Sequence, residues 1–222
     1  MNNIVVIRNL MKKYRDHIIL DNVNFKLESG KITTIFGRSG SGKSTLLNII
    51  GLLESKDSGE VILFGKEAPK VGSKLAQKYL RYHISYLFQN YALLNYQSID
   101  QNLNLVNLNP KETKKEFDKR KKLFIQKLGI KSPLNSKVGS LSGGEQQRVA
   151  VVRMLLRPGE LVLCDEPTGS LDPDNRNSIL KVLKYAKNMG KTILIVSHDP
   201  YIIEHSDISY NIEDLMLKKI SK

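Results

Sequence analysis

Gly37-Arg38-Ser39-Gly40-Ser41-Gly42-Lys43-Ser44 fits the phosphate-loop pattern G-x-x-x-x-G-K-[ST]. An apolar run, Ile32 to Phe36, reads as a strand directly before it, and Thr45 to Ile50 as a helix directly after it. A loop in that setting turns successive backbone N–H groups toward one point at the positive end of a helix. Its glycines let a polyphosphate come close. Lys43 would then reach the β- and γ-phosphates of a nucleotide, and the Ser44 hydroxyl would hold Mg²⁺. The alternative is a glycine-rich turn that contains Lys-Ser by chance, and the flanking strand and helix weigh against it.

Three further groups bear on the same chemistry. Leu161 to Cys164 is a continuous apolar run ending in Asp165 and Glu166. An apolar strand that ends in acids suits the second half of a phosphate-loop site, with Asp165 on Mg²⁺ and Glu166 accepting a proton from an attacking water. Acids that merely cap a strand would look the same. His198 ends a second run, Thr192 to Val196, on the same expected sheet edge; it is either structural or a contact to the γ-phosphate or the water. Leu141-Ser-Gly-Gly-Glu-Gln-Gln-Arg148 precedes a helix expected from Glu145 to Leu156. Ser142 there is either an ordinary N-cap or the cap of a phosphate supplied by another subunit.

The elements around these groups follow from periodicity. Residues 4–9, 18–20 and 23–27 are short β-like runs with turn residues between them, and they predict a small antiparallel sheet. Val61 to Phe64 and Ile84 to Phe88 read as strands, with a polar helix at Ser73 to Tyr82 between them. From Gln89 to about Leu156 apolar residues recur at helical spacing, which predicts a helical insertion. A helix from Asp174 to Met189 joins the two buried strands that end at Asp165 and His198. A short helix and a last strand near Ser209 to Ile212 complete the tail. The plan is an α/β fold, a parallel sheet covered on both faces with a helical lobe inserted in it.

Composition narrows the function classes. The 222 residues carry a formal charge of +13, with no basic faces interleaved with aromatics, so no nucleic-acid partner is expected. The densest cationic run, Lys111 to Lys122, reads as a solvated helix face. Cys164 is the single cysteine, which excludes an internal disulfide and any cysteine-rich zinc site. Neither a signal peptide nor a run long enough to span a bilayer is evident, so a cytoplasmic chain, peripheral on the inner face of the membrane, is expected.

Taken in order, these stretches resemble the ATP-binding cassette (ABC) ATPases across nearly the whole chain. They are the phosphate loop Gly37–Thr45, a Q-loop-like Gln89, the signature Leu141–Gln147, the acidic strand end, a D-loop-like Ser170-Leu171-Asp172 and the switch-like His198. The resemblance implies a phosphate-loop NTPase (RecA-like) core with an N-terminal antiparallel β subdomain and an inserted helical subdomain. One ABC ATPase domain would span 1–222, with its core in 1–88 and 157–222 and the helical signature subdomain in 89–156. It implies ATP and Mg²⁺ as ligands and a head-to-tail dimer with a second copy or a paralogous cassette. In that dimer Lys43, Ser44, Gln89, Asp165, Glu166 and His198 of one chain face Ser142, Gly143, Gly144 and Glu145 of the other. Gln89 would join Ser44 and Asp165 at the metal, and Asp172 would couple the two sites. Tyr14 stands where the family stacks an aromatic on adenine, although a tyrosine at a strand end can simply pack.

The resemblance also implies an integral membrane permease as partner, gripped through Tyr91 to Asn104. The wording of Ser39–Asn48, Leu141–Gln147 and Glu166–Gly169 is similar to the macrolide-efflux, lipoprotein-release and bacteriocin-export branch, the peptide exporters above all. An exporter ATPase is therefore expected. The alternatives are a cassette that only transmits force to a membrane protein, or a soluble one acting on DNA or ribosomes. Two departures stand out: Glu145 where many relatives have Gln, and Cys164 where a plain apolar residue is usual.

Overall fold

The computed structural model describes residues 2–88, 90–109, 112–168 and 173–216. The chain begins with a long hairpin, β1 (Asn3–Tyr14) and β2 (His17–Glu28), and then β3 (Ile32–Phe36) runs into α1 (Lys43–Ile50). β4 (Ser58–Leu63), β5 (Lys66–Glu67), α2 (Lys74–Tyr82) and β6 (Ile84–Leu87) follow. Next come α3 (Ile99–Asn104), α4 (Lys114–Lys127), a 3₁₀ turn at Val138–Ser140 and α5 (Gly143–Leu156). The chain continues through β7 (Leu161–Asp165), α6 (Pro173–Asn188), β8 (Thr192–Val196), α7 (Pro200–Glu204), β9 (Ile208–Asn211) and α8 (Ile212–Met216).

The strands form two sheets among the described residues. One is antiparallel in the order β2-β1-β4-β5, and the other is parallel in the order β6-β7-β8-β3-β9. The expected antiparallel sheet is present, but the three short runs foreseen in its first part are two strands of 12 residues each. Asn9, the last residue of the first expected run, and Asn22, in the gap before the third, sit at φ 48° and 51° inside those strands. Register shifts between Ile7 and Leu10 and between Leu10 and Lys12 accompany them, and the Asn9 N–H donates to Asn24 Oδ1 at 3.1 Å. Asparagine tolerates the left-handed region, so each becomes a bulge that twists the hairpin without ending it.

Alternation along the parallel strands divides the core. Leu161 and Leu163 of β7 and Leu194 and Val196 of β8 face α1 and the antiparallel sheet. Val162, Cys164, Ile193 and Ile195 face the other way, against α3 to α6. Strands buried on both faces read as unbroken apolar runs, which is why they were legible. Cys164 is fully buried there, and burial pushes its thiol pKa up, so it is inert packing.

The helical insertion positions α5, the helix that carries the signature. Its last carbonyls are met by cations: Arg120 donates to Leu156 O at 2.9 Å and Lys191 to Arg157 O at 3.0 Å. The cationic run on α4 is only partly the solvated face expected of it. Lys121 is 6% exposed and bridges Asp100 at 2.7 Å and Asp118 at 3.0 Å, which ties α4 to α3. Phe117 and Phe124 on the same helix fill the core beneath.

Candidate functional site

The phosphate loop lies between β3 and α1 at the C-terminal edge of the parallel sheet. Gly42, the N-cap of α1, has φ 89°, and a Cβ there would come within 2.8 Å of Leu20 Cδ2 and 3.1 Å of the Ile19 carbonyl. Both the backbone angle and the space demand glycine. No side chain caps α1. Its positive end therefore opens into a cavity of about 630 Å³ lined by Ile19, the loop, Lys43, Ser44, Thr45, Glu166 and His198. Within the loop, Gly37, Arg38, Ser39 and Gly40 form the wall. The Ser41 hydroxyl, behind this wall, is buried with no hydrogen-bond partner among the described residues. Lys43 is 7% exposed, and its Nζ donates to the Gly37 carbonyl at 3.0 Å and the Arg38 carbonyl at 2.8 Å.

The parallel sheet delivers the acids to the same place. Ser44 Oγ donates to Asp165 Oδ1 at 3.0 Å. Burial raises the Asp165 pKa, with the Glu166 charge adding to it, while the Ser44 hydrogen bond and the Lys43 ammonium oppose the shift. This carboxylate is short of compensating positive charge. Two hard oxygens beside a polyphosphate cradle fit Mg²⁺, which takes one or two protein ligands and leaves its other positions to water and phosphate.

Glu166 has φ 44°, a left-handed angle that costs a non-glycine residue about 1 kcal/mol. The turn folds its carboxylate back over the end of β8. Oε2 accepts from Ser197 Oγ at 2.9 Å, and Oε1 lies 2.9 Å from His198 Nδ1. Thr168 Oγ1 donates to Asp199 Oδ2 at 2.8 Å, and the Asp199 N–H donates to Ser197 Oγ at 3.1 Å. The base candidate and the histidine are thus one hydrogen-bonded unit.

Other candidates lie elsewhere. Tyr14, at the end of β1, is 47% exposed and does not line the cavity. Its hydroxyl donates to Glu54, which raises its pKa, while Thr45 on the cavity wall opposes that shift. Tyr14 therefore stands at the rim, engaged in packing against Lys12, whose Nζ is 5.1 Å from its ring centroid. Ser142, Gly143, Gly144 and Glu145 begin α5 away from this cavity. Ser142 is the N-cap in a reciprocal capping box with Glu145 within the single chain. Gln89 and Asp172 lie outside the described residues.

Two residues of α5 to which sequence reading gave no role of their own reach the segments that flank the site. Gln147 Nε2 donates to the Pro167 carbonyl at 2.7 Å. Arg153 donates to the Tyr91 carbonyl at 2.7 Å and the Ala92 carbonyl at 2.8 Å. Burial lowers the Arg153 pKa to about 10, which leaves it charged at neutral pH. Their acceptors are backbone atoms far away in sequence. The one available signal was a glutamine on the apolar face of α5, beside Val149, Ala150 and Val151.

A parallel sheet with a phosphate loop at the end of β3 and acids at the end of β7, one strand removed, defines a phosphate-loop nucleoside triphosphatase. Residues 20–169 match the family model described as ABC transporter, and the chain belongs to that family. It is 33% identical over 216 residues, 95% of its length, to the macrolide export ATP-binding/permease protein MacB of Pasteurella multocida. That match takes in 33% of the relative, so the chain spans about a third of the length of the curated relatives it matches. The dimeric bacterial ABC transporter cassette MJ0796 superposes with a TM-score of 0.83 at 30% identity, over 94% of each chain. A dimeric post-hydrolysis state of the same cassette, bound to ADP and Pi, gives 0.81 at 30% identity and the same coverage. CbiO1 of Clostridium perfringens, part of the transporter complex cbiONQ, gives 0.82 at 28% identity over 96% of this chain and 86% of its own. The expected cassette fold and ATPase class are borne out, and so is the macrolide-export branch. Among the described residues no helix is long and apolar enough to cross a membrane.

Proposed function

We propose that this ATPase works as a head-to-tail cassette dimer that drives a membrane permease, and that the permease exports a peptide, drug or lipid-linked substrate. The reading rests on one observation above the others: Lys43, Ser44, Glu166 and His198 line a single cavity, with Asp165 bonded to Ser44. Lys43 exchanges its loop carbonyls for the β- and γ-phosphates, and the loop amides and Ser41 surround them. Ser44 and Asp165, with Gln89, hold Mg²⁺, which supplies charge neutralisation across the phosphates when bound. Glu166, oriented by Ser197 and His198, takes the proton of the attacking water. His198 contacts the γ-phosphate. Ser142, Gly143 and Gly144 close the site from the second copy or from a paralogous cassette, and Asp172 couples the two sites. Tyr14 turns from Glu54 to stack on adenine. The catalytic core in 1–88 and 157–222 and the helical signature part in 89–156 together make one ABC ATPase domain.

The dimeric state of MJ0796 and the place of cbiO1 in a transporter complex support the dimer and the permease. The fused permease named in the MacB relatives supports an exporter at the inner face of the membrane. The test is Glu166→Gln. It should bind ATP, lose at least about a hundredfold in turnover and stay dimeric in ATP during size-exclusion chromatography; normal turnover would remove Glu166 from the mechanism. Affinity purification of that variant from detergent-solubilised membranes with ATP should recover an integral membrane protein. Recovery of ribosomes or nucleic acid instead would favour a soluble role.

A further inference from the structure

Gln147 occupies a position that none of the assigned chemistry uses. Its side chain is 3% exposed on a helix face otherwise built of valine, alanine and leucine, where a buried amide must be satisfied. Its Nε2 donates to the carbonyl of Pro167 at 2.7 Å. Pro167 directly follows Glu166, whose φ of 44° is held only by what surrounds it.

The ties on this turn point in two directions. The Glu166 N–H donates to Val196 O at 2.9 Å, its carboxylate meets Ser197 and His198, and Thr168 meets Asp199. All of these anchor the turn to the end of β8 and the segment after it. The Gln147 bond alone among them crosses to α5. That helix starts five residues earlier at Ser142 and is rigid over the single turn between them. A displacement of the Ser142 end of α5 therefore reaches the backbone beside Glu166 through this hydrogen bond.

We infer that Gln147 is a positioning residue for Glu166, which sets the carboxylate according to where the signature end of α5 sits. The inference rests on the dimer reading above, in which Ser142 serves the partner's nucleotide and Glu166 serves its own. Under that reading, the seating of α5 on one nucleotide adjusts the base at the other.

A double-mutant cycle on steady-state and single-turnover ATPase of the full chain tests it. Gln147→Met keeps the length of the side chain and removes the donor. It should lower kcat about tenfold and leave KM for ATP within about twofold, because Gln147 touches no part of the nucleotide cavity. In the Glu166→Gln background the same substitution should cause no further loss, since the group it positions is gone. A kcat within twofold of the parent, or an equal loss in both backgrounds, overturns the inference. If Gln147→Met does not fold, Gln147→Glu removes the donor at constant shape and enters the same cycle, where the same two results would overturn the inference. Normal turnover of Glu166→Gln by itself would instead sink the base assignment, and this inference with it.

Discussion

The molecule contains two glycine-bearing loops that each start a helix, and they are finished in opposite ways. At α1 the N-cap is Gly42 in the left-handed region, no side chain caps the helix, and the Ser41 hydroxyl is buried without a partner. At α5 the N-cap is Ser142 in extended backbone, its hydroxyl accepts from the Glu145 N–H at 3.3 Å, and Glu145 closes the box. The first helix start leaves its donors to a ligand. The second completes itself within the chain and leaves Gly143 facing open space, with nothing within 4 Å of a Cβ added there. A helix N-terminus attracts anions in either case, but only an unsatisfied one is built around them. If Ser142 meets a nucleotide in the dimer, its hydroxyl proton must leave Glu145 Oε2 for the phosphate, while Oγ goes on accepting from the Glu145 N–H, so its affinity is set partly by that exchange.

The largest effect that sharpens this contrast is expected from Lys43→Ala. Removing the ammonium from the open loop should lower ATP affinity about hundredfold, near 2.7 kcal/mol, and ATP-dependent dimerisation should fall with it. Equilibrium binding of a fluorescent ATP analogue measures it, and unchanged affinity would contradict the placement of the phosphates.

A matched pair of glycine substitutions comes next. Gly42→Ala forces a Cβ against Leu20 and Ile19 at a φ that alanine resists, so urea unfolding should show a loss of about 1–3 kcal/mol. Gly143→Ala meets open space at the first helical position, and the free chain should gain up to about 1 kcal/mol. Turnover of the dimer should nevertheless fall, because the added methyl stands where a partner's phosphate would approach. If Gly143→Ala hydrolysed ATP normally, the signature loop would have no role in closing a site.

These expectations divide along what a sequence can carry. The phosphate loop, the buried runs of β3, β7 and β8 and the Ser142 cap are local patterns, and each was legible. The helix α1 was read from Thr45 and begins at Lys43, a boundary set by Gly42, whose left-handed angle no periodicity reports. Asn22 misled for a related reason, because the same tolerance of positive φ serves turns and bulges alike. The Glu54 bond that holds Tyr14, the Pro167 carbonyl that satisfies Gln147 and the clamp of Arg153 on Tyr91 and Ala92 are pairings across 20 to 62 residues. They exist only once the sheets and the helical insertion have packed, and no spacing rule contains them.

The smallest expected effect tests the self-finished loop through Glu145. The Ser132 hydroxyl donates to its carboxylate, the Ser142 N–H and hydroxyl do so at 3.4 and 3.1 Å, and these bonds hold its pKa below the ordinary 4.5. A folded-state pKa that is depressed means the charged form stabilises the fold. That contribution is complete above the unfolded value of about 4.5 and fades as the pH falls through the lowered one. Glu145→Gln keeps a capping-box acceptor but removes the titration and the charge near the positive end of α5. Thermal melts should therefore place the variant slightly below the parent at pH 7, with the gap closing as the pH is brought below 4.5. A gap that stayed constant would mean that shape alone finishes α5, and that the carboxylate at position 145 adds nothing a neutral amide could not.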